Sequence, residues 1–139
     1  MIKHITLLLL FFSLSMSAQD IFGNWQTIND KGEKKSTVKI YEENGVVYGK
    51  IIQINDQSKV NALCTKCEGD DNNKPILGLI IIKDAVKDGK YYKGGTILDP
   101  QNGNTYKLRL AINDKGQLQV RGYLGFSLLG RTQIWKRKN

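Results

Sequence analysis

Apolar and polar residues alternate over much of the chain, which is the period of strands that bury one face. Between residues 106 and 112 the even-numbered positions are Tyr, Leu, Leu and Ile, and the positions between them are Lys, Arg and Ala. Residues 118–124 repeat the pattern. The turn between the two runs, residues 113–116, reads Asn-Asp-Lys-Gly, and Asn, Asp and Gly tolerate the positive φ of a hairpin. Pattern and turn together predict an antiparallel hairpin.

Counting such runs predicts about eight strands, joined mostly by short turns rich in Gly, Asn and Asp. No long segment has the 3.6-residue period of an amphipathic helix. One connection, roughly residues 56–75, is long and polar. The predicted strands are 22–29, 35–42, 46–55, 76–84, 90–98, 104–113, 117–125 and 130–137.

Short turns make neighbours in sequence neighbours in space, so the strands should form an antiparallel meander. About eight such strands can close on themselves, which removes exposed sheet edges. The predicted fold is therefore all-β, a single antiparallel up-and-down β-barrel over residues 19–139 with one long polar loop. The interior of such a barrel is either filled by side chains or just large enough for one small ligand.

The N-terminus has the three parts of a secretory signal peptide, which we assign to residues 1–18. Lys3 supplies a positive start, residues 5–14 are almost purely apolar, and small residues precede a polar Gln-Asp pair. The apolar run is about half the roughly 20 residues that cross a bilayer as a helix. We expect cleavage after Ala18, or alternatively after Ser17, and a periplasmic or secreted protein without integral membrane insertion.

The formal charge of +8 is spread along the chain and interleaved with acidic residues, as in residues 31–35. Only residues 136–138 form a compact basic run, so a solvated surface is favoured over a nucleic-acid site. The one histidine, His4, lies in the predicted signal peptide, so the exported chain has none for a His-based catalytic site. We expect no enzymatic activity, no cofactor and no metal.

Cys64-Thr65-Lys66-Cys67 is the sharpest local motif. A zinc site would want two further nitrogen or sulfur ligands, and the exported chain has no other Cys and no His. A redox-active pair would normally lie at a helix N-terminus in an α/β fold. In an oxidising compartment the motif favours a short structural disulfide between Cys64 and Cys67 that pins the polar loop, with a redox pair and a metal site as the alternatives.

Gly23-Asn24-Trp25 opens the first predicted strand, and Arg131 and Arg137 lie on the last. In closed barrels of the lipocalin and avidin kind, a Gly-x-Trp on the first strand plugs one end. A cation from the final strand can then cover the indole face. We assign Gly23, Trp25 and Arg131 to this structural closure.

Glycine-rich segments near residues 94–103 and 121–131 usually mark bends that let a small sheet curl. The functional interpretation is a polar ligand-binding patch near one barrel mouth. Residues 126–129 (Phe-Ser-Leu-Leu) would then act as a lid or apolar rim. The patch would comprise Asp99, Tyr106, Arg121 and Tyr123.

The motifs collected so far resemble those of a family of secreted bacterial proteins, domain of unknown function 2147. The resemblance covers nearly all of the predicted domain and is most specific in the ending. It implies a secreted, calycin- or lipocalin-like β-barrel, and brings no established activity or ligand. The matching segments are Gly23-Asn24-Trp25, Val38-Lys39-Ile40-Tyr41, Tyr48-Gly49-Lys50-Ile51, the Cys64/Cys67 loop, Lys74-Pro75-Ile76-Leu77-Gly78, Gly94-Gly95 with Ile97, Asp99-Pro100 through Gly103 and Tyr106, and Arg121-Gly122-Tyr123 to Gly130-Arg131-Thr132 with Trp135.

Two function classes remain open. The first is a monomeric binder of a small apolar or amphipathic ligand, with the barrel or its mouth as the site. The alternative is an envelope interaction module with a solid barrel, which would bind a protein partner through residues 56–75 or 126–129.

The signal peptide is directly testable. When the full chain is expressed in a bacterial host, we expect the exported protein to begin at Gln19, or at Ala18 if cleavage follows Ser17. N-terminal sequencing and intact mass measurement read this out. An exported protein that retains the apolar run 5–14 would contradict the prediction.

Overall fold

A computed structural model of the protein describes residues 20–125 and 130–139. Eight antiparallel strands close into a barrel in which each strand pairs with its neighbours in sequence. The predicted signal peptide and the predicted lid, residues 126–129, lie outside the described residues. The strands are β1 (Gly23–Ile28), β2 (Lys34–Glu43), β3 (Val46–Ile54), β4 (Ile80–Asp88), β5 (Tyr91–Leu98), β6 (Thr105–Ile112), β7 (Leu118–Tyr123) and β8 (Gly130–Arg137).

The barrel closes where β1 pairs with β8, with Trp25 opposite Arg137 and Gln26 opposite Lys136. The Lys138 N–H donates to the Asn24 carbonyl at 2.9 Å and continues this ladder. The predicted fold class, an all-β up-and-down barrel of eight strands, is confirmed. The strand order also defines two ends, which differ in the connections they carry.

The closed end carries residues 20–22, the C-terminus and three tight turns. The opposite end, called the loop end below, carries the hairpin 29–33, the long connection 55–79 between β3 and β4, the turn 99–104, and the connection after β7. Two short 3₁₀ turns, Gln57–Lys59 and Gly69–Asp71, lie within the long connection.

The fourth strand begins later than the sequence pattern predicts, at Ile80 rather than at residue 76. Gly78 has a positive φ of 93°, and its N–H donates to the Ile51 carbonyl at 2.8 Å, outside the regular ladder. The Leu79 N–H closes a turn onto Ile76 at 3.1 Å. The apolar run at residues 76–79 therefore belongs to the long connection, and the strand continues instead through the polar residues to Asp88.

The inward faces of the strands form one hydrophobic core that fills the barrel from the closed end. Nine of its described side chains are at most 1% exposed, so no water molecule fits beside them and this half of the interior is packed. The inward-facing core side chains at this level of burial are Trp25, Val38, Ile40, Val47, Ile82, Ala85, Leu108, Leu110 and Leu118.

Trp25 is the plug of the closed end. Its indole N–H donates to the Ile21 carbonyl at 2.8 Å, and the Arg137 guanidinium lies 4.2 Å from its ring centre. Arg137 also donates to the Phe22 carbonyl at 2.8 Å and the Asp20 carbonyl at 2.7 Å. One cation thus covers the indole and satisfies two backbone acceptors of the entering chain.

Phe22 packs edge-on against Tyr92, with 6.3 Å between the ring centroids. Burial, together with the nearby carboxylates of Glu42 and Asp20, raises the pKa of Tyr92 above its ordinary value. The phenol therefore stays neutral within the apolar plug.

Arg137, not Arg131, is the cation on the indole, so the assignment of Arg131 to barrel closure is corrected. Strand β8 runs from the loop end to the closed end, and Arg131 lies at its beginning. There the Arg131 guanidinium forms a 3.1 Å ion pair with Asp30, with both side chains more than half exposed. The end of β8, not its start, lies beside the start of β1.

The two arginines of β8 provide a matched test of closure. Arg137→Lys should lower the free energy of unfolding by about 1–2 kcal/mol, because lysine cannot stack on the indole and donate to both carbonyls. Arg131→Lys should change it by less than about 0.5 kcal/mol, because its ion pair is exposed. Urea unfolding measures both. Equal effects of the two substitutions would contradict this assignment.

Candidate functional site

The inward face of the barrel changes character toward the loop end. Along β6, Leu110 and Leu108 are fully buried, whereas Tyr106 is half-buried. Along β7, Leu118 and Val120 are buried, whereas Gly122 is half-buried. Two adjacent strands therefore lose their interior packing at the same level.

Three of these positions lie together. Ile97 pairs with Tyr106 across β5 and β6. A Cβ atom placed on Gly122 would lie 3.4 Å from the Tyr106 Cβ and 3.5 Å from the Ile97 Cγ2, which are ordinary contact distances. Gly122 is also paired with Arg131 on β8. We call Ile97, Tyr106, Gly122 and Arg131 the loop-end recess.

Polar groups rim this recess. The Tyr106 hydroxyl oxygen accepts hydrogen bonds from the side-chain amides of Asn102 at 3.1 Å and Asn104 at 3.4 Å. The hydroxyl proton is thereby left to donate in another direction. On the opposite side, Arg131 and Asp30 form their exposed ion pair. The recess combines an apolar wall with a phenol and a guanidinium, as an amphipathic ligand requires.

The four residues predicted to form one polar patch are not brought together. Asp99 is used in the turn 99–104, where its carboxylate accepts from the Gln101 N–H at 2.9 Å. Tyr106 lies in the recess. Arg121 and Tyr123 are paired with Arg109 and Lys107, and these odd-numbered positions face the outside of the barrel.

The predicted patch left out Gly122 and Arg131, although the sequence carries a signal for both, namely the alternation of inward and outward positions along a strand. Leu118 and Val120 face inward, so Gly122 must face inward and Arg121 outward. In the pairing of β7 with β8, Arg131 is opposite Gly122 and so lies at the mouth of the barrel. The guanidinium at the mouth therefore belongs to Arg131, not Arg121.

The long connection folds back against the outside of the barrel. Asp56 begins its first turn, and hydrogen bonds from the Ser58 hydroxyl at 2.6 Å and N–H at 3.0 Å hold the pKa of Asp56 below its ordinary value. An isolated bridge between Leu63 and Pro75 joins the two arms of the segment. Asp71 forms ion pairs with Lys74 at 3.3 Å, and with Lys83 of β4 at 3.4 Å.

The predicted disulfide between Cys64 and Cys67 is confirmed. Both half-cystines are buried, at 0% and 3% exposure, against the turn 99–104. The contact is close, because a Cβ atom on Gly103 would overlap the Lys66 carbonyl group. The disulfide loop is thus docked on the neighbouring turn rather than free in solvent.

An open cleft of about 230 Å³ lies between the long connection and β4. Its lining mixes aliphatic side chains with the charges of Asp71 and Lys83, and the exposed Leu77 lies at its edge. The full lining is Asp71, Lys74, Pro75, Leu77, Gly78, Leu79, Ile80 and Lys83.

Among residues 20–125 and 130–139, no group of three or more His, Cys, Asp or Glu side chains is placed to hold a metal ion. Within the same part of the chain, no helix is long and apolar enough to cross a membrane.

Comparison with known proteins agrees with this architecture. Residues 23–137 match the family model described as "Uncharacterized protein conserved in bacteria (DUF2147)". The chain belongs to this family. The family resemblance seen in the sequence is therefore confirmed, and the match begins with Gly23 and ends with Arg137, the two ends of the closing strands.

One solved structure is similar over most of its length. Protein HP1028 from the human pathogen Helicobacter pylori, described as belonging to the lipocalin family, is 28% identical, with a TM-score of 0.77. The match covers 88% of this chain and 85% of that one. A search of the curated proteins found no match. The barrel is thus lipocalin-like.

The docking of the disulfide loop can be tested with two glycines of positive φ. Gly89→Ala should cost about 1 kcal/mol, because Gly89 has a φ of 61° with open space around it. Gly103→Ala should cost a further 1–3 kcal/mol, because the new methyl group overlaps the Lys66 backbone.

Hydrogen exchange distinguishes the two variants further. In Gly103→Ala the amides of Cys64 and Ile76, which donate within the long connection, should exchange faster than in the parent protein. In Gly89→Ala they should not change. Unchanged protection in Gly103→Ala would show that the loop does not depend on this contact.

Proposed function

We propose that this protein is an exported, non-enzymatic barrel that binds one small apolar or amphipathic molecule in the loop-end recess. The observation that carries the proposal is the change along β6 and β7 from fully buried to half-buried inward positions, ending at Gly122. Eight-stranded barrels are either filled or hold a single small ligand, as lipocalins do. Here the filled half supports a shallow site at the other end.

The recess chemistry supports an amphipathic ligand. An apolar segment would pack against Ile97 and the Tyr106 ring, in the space that Gly122 leaves without a side chain. A polar or anionic end of the ligand would accept hydrogen bonds from the Tyr106 O–H and the Arg131 guanidinium. The exposed Asp30 carboxylate contributes little by its pairing, so a ligand carboxylate can replace it on Arg131 at small cost.

The packed core limits how deep a ligand reaches. Leu108 and Leu110, below Tyr106 on the same strand, are 0% exposed and leave no channel toward Trp25. A ligand in the recess would therefore keep part of its surface toward the connections of the loop end. This favours a small molecule, or one end of a longer one.

Export is supported by two independent features. The apolar run 5–14 with its flanking residues has the form of a signal peptide. The disulfide between Cys64 and Cys67 belongs to an oxidising compartment. Together they favour the periplasm or the extracellular space.

A second candidate function is an envelope interaction module, favoured by the packed core and the cleft of about 230 Å³ beside the long connection. Leu63 and Leu77 on this connection are 46% and 40% exposed. Exposed aliphatic side chains on a long connection, with Leu77 at the cleft, are typical of surfaces that receive a protein partner.

The recess is tested by filling it. Gly122→Leu places a side chain against Tyr106 and Ile97 without left-handed strain, because Gly122 does not have a positive φ. With a dansyl-labelled fatty acid as the probe, we expect the parent protein to enhance its emission. In Gly122→Leu the affinity for the probe should fall at least about tenfold, because the new side chain occupies the space in which the apolar part of the probe would pack.

Thr105→Leu is the matched control, because Thr105 is exposed on the outer face of β6, next to Tyr106 in the chain. It should bind the probe as the parent does. Equal affinity in Gly122→Leu and the parent, or no binding by the parent, would overturn the recess as the site. Loss of probe binding in Leu77→Ser instead would favour the cleft.

A further inference from the structure

Charge is distributed unevenly around the barrel. Strands β5–β8, all within the described residues, carry seven Lys or Arg side chains and not one Asp or Glu. Strands β2 and β4 carry both signs. By register, five of the seven cations face outward, namely Lys93, Lys107, Arg109, Arg121 and Lys136.

Three of these cations form a row across the sheet. Lys93 is paired directly with Arg109, and Arg109 directly with Arg121. Neighbouring strands are about 4.8 Å apart, so the row spans roughly 10 Å. Like charges directly opposite one another destabilise a sheet. The row therefore carries an electrostatic cost in the free protein.

The row surrounds an aromatic ring and a small cleft. The Arg109 guanidinium lies 4.6 Å from the Tyr91 ring centre, and the Lys93 ammonium 5.2 Å from it. A cleft of about 30 Å³ opens between Tyr91, Arg109 and Arg121. Lys93 also lies 3.6 Å from the exposed carboxylate of Asp88.

Arg121 is held in place within this cleft. Its guanidinium donates to the Thr132 hydroxyl at 3.2 Å, which lines the same cleft. Two forked guanidinium groups on adjacent strands therefore flank one small opening. This arrangement suits a phosphate, whose oxygens accept several N–H donors at once.

An apolar side chain borders the cations. Val86 continues the row on the far side of Lys93 and is 50% exposed. Arginine and lysine with tyrosine and isolated aliphatic side chains are the composition of a surface that meets lipid headgroups.

We propose that the outer face of β5–β8 docks on an anionic phospholipid surface, with a headgroup phosphate between Arg109 and Arg121. This site lies outside the barrel and is separate from the loop-end recess. It provides a physical reason for the opposed cations, because bound phosphate converts mutual repulsion into shared attraction.

The test uses protein recovered in its processed form from cells that express the full chain. Its partition onto vesicles of phosphatidylglycerol and phosphatidylcholine in equal parts is compared with vesicles of phosphatidylcholine alone. Only the anionic vesicles should bind it. Arg109→Gln/Arg121→Gln should lower the partition coefficient about 10- to 30-fold.

Lys39→Gln/Lys50→Gln is the matched control. These two lysines are also directly paired and exposed, but they lie on β2 and β3, across the barrel from the row. Removing them should change partition less than about threefold, because exposed charges beyond a Debye length of roughly 8–10 Å are screened. An equal loss in both double variants would overturn the proposal.

A measurement on the unaltered protein covers the case in which the arginine variant does not fold. Anionic vesicles should protect Lys93 and Lys107 from acetylation and leave Lys39 and Lys50 as reactive as in buffer. Uniform protection, or none, would overturn the proposal. Binding to a soluble polyphosphate with no binding to vesicles would likewise overturn it, in favour of a soluble polyanion.

Discussion

The stacking of Arg137 on Trp25 closes the barrel at the place where the sheet alone is weakest. Strands β1 and β8 are paired at two positions, whereas β2 and β3 are paired at eight. The short seam offers few ladder hydrogen bonds, so the side chains across it matter more. Arg137 joins the last strand to the indole and to the backbone at Asp20 and Phe22. The packed core and the difference between the two ends both require a closed barrel, and this contact stabilises the closed state.

The two ends of the molecule follow from that closure. At the closed end the plug of Trp25, Phe22 and Tyr92 fills the interior, and the core above it is packed. At the loop end position 122 carries no side chain, and the inward positions Tyr106 and Gly122 are half-buried rather than buried. The inward face of the barrel is thus packed at the closed end and only half-buried at the loop end.

Much of this fold was predictable from the sequence, because alternation and turn chemistry are local signals. Strand β6 was predicted within a residue at each end and β7 within two, and the turn between them was predicted correctly. The beginning of β4 was not, because the apolar residues 76–79 have the composition of a strand but pack in the long connection. The assignment of Arg131 to barrel closure was wrong because it ignored strand direction. The start of β8 lies at the opposite end of the barrel from Trp25.

The prediction of one polar ligand-binding patch was wrong for a different reason. Grouping Arg121 and Tyr123 with Tyr106 used nearness in sequence, whereas a sheet sorts residues by parity. It is harder still to predict from the sequence whether an interior position is filled, because this depends on side chains that meet across the barrel from distant strands. Gly122 is adjacent to Ile97 and Tyr106 only in the folded protein.

The closing contact also has a consequence for the timing of folding. Arg137 and Phe22, which it joins, are 115 positions apart in sequence. Contacts of such long range form late, because a long loop must be ordered before they repay its entropy. During synthesis β1 cannot pair with β8 until residue 137 has emerged from the ribosome. The seam of the barrel is therefore the last of its strand pairings that a growing chain can form.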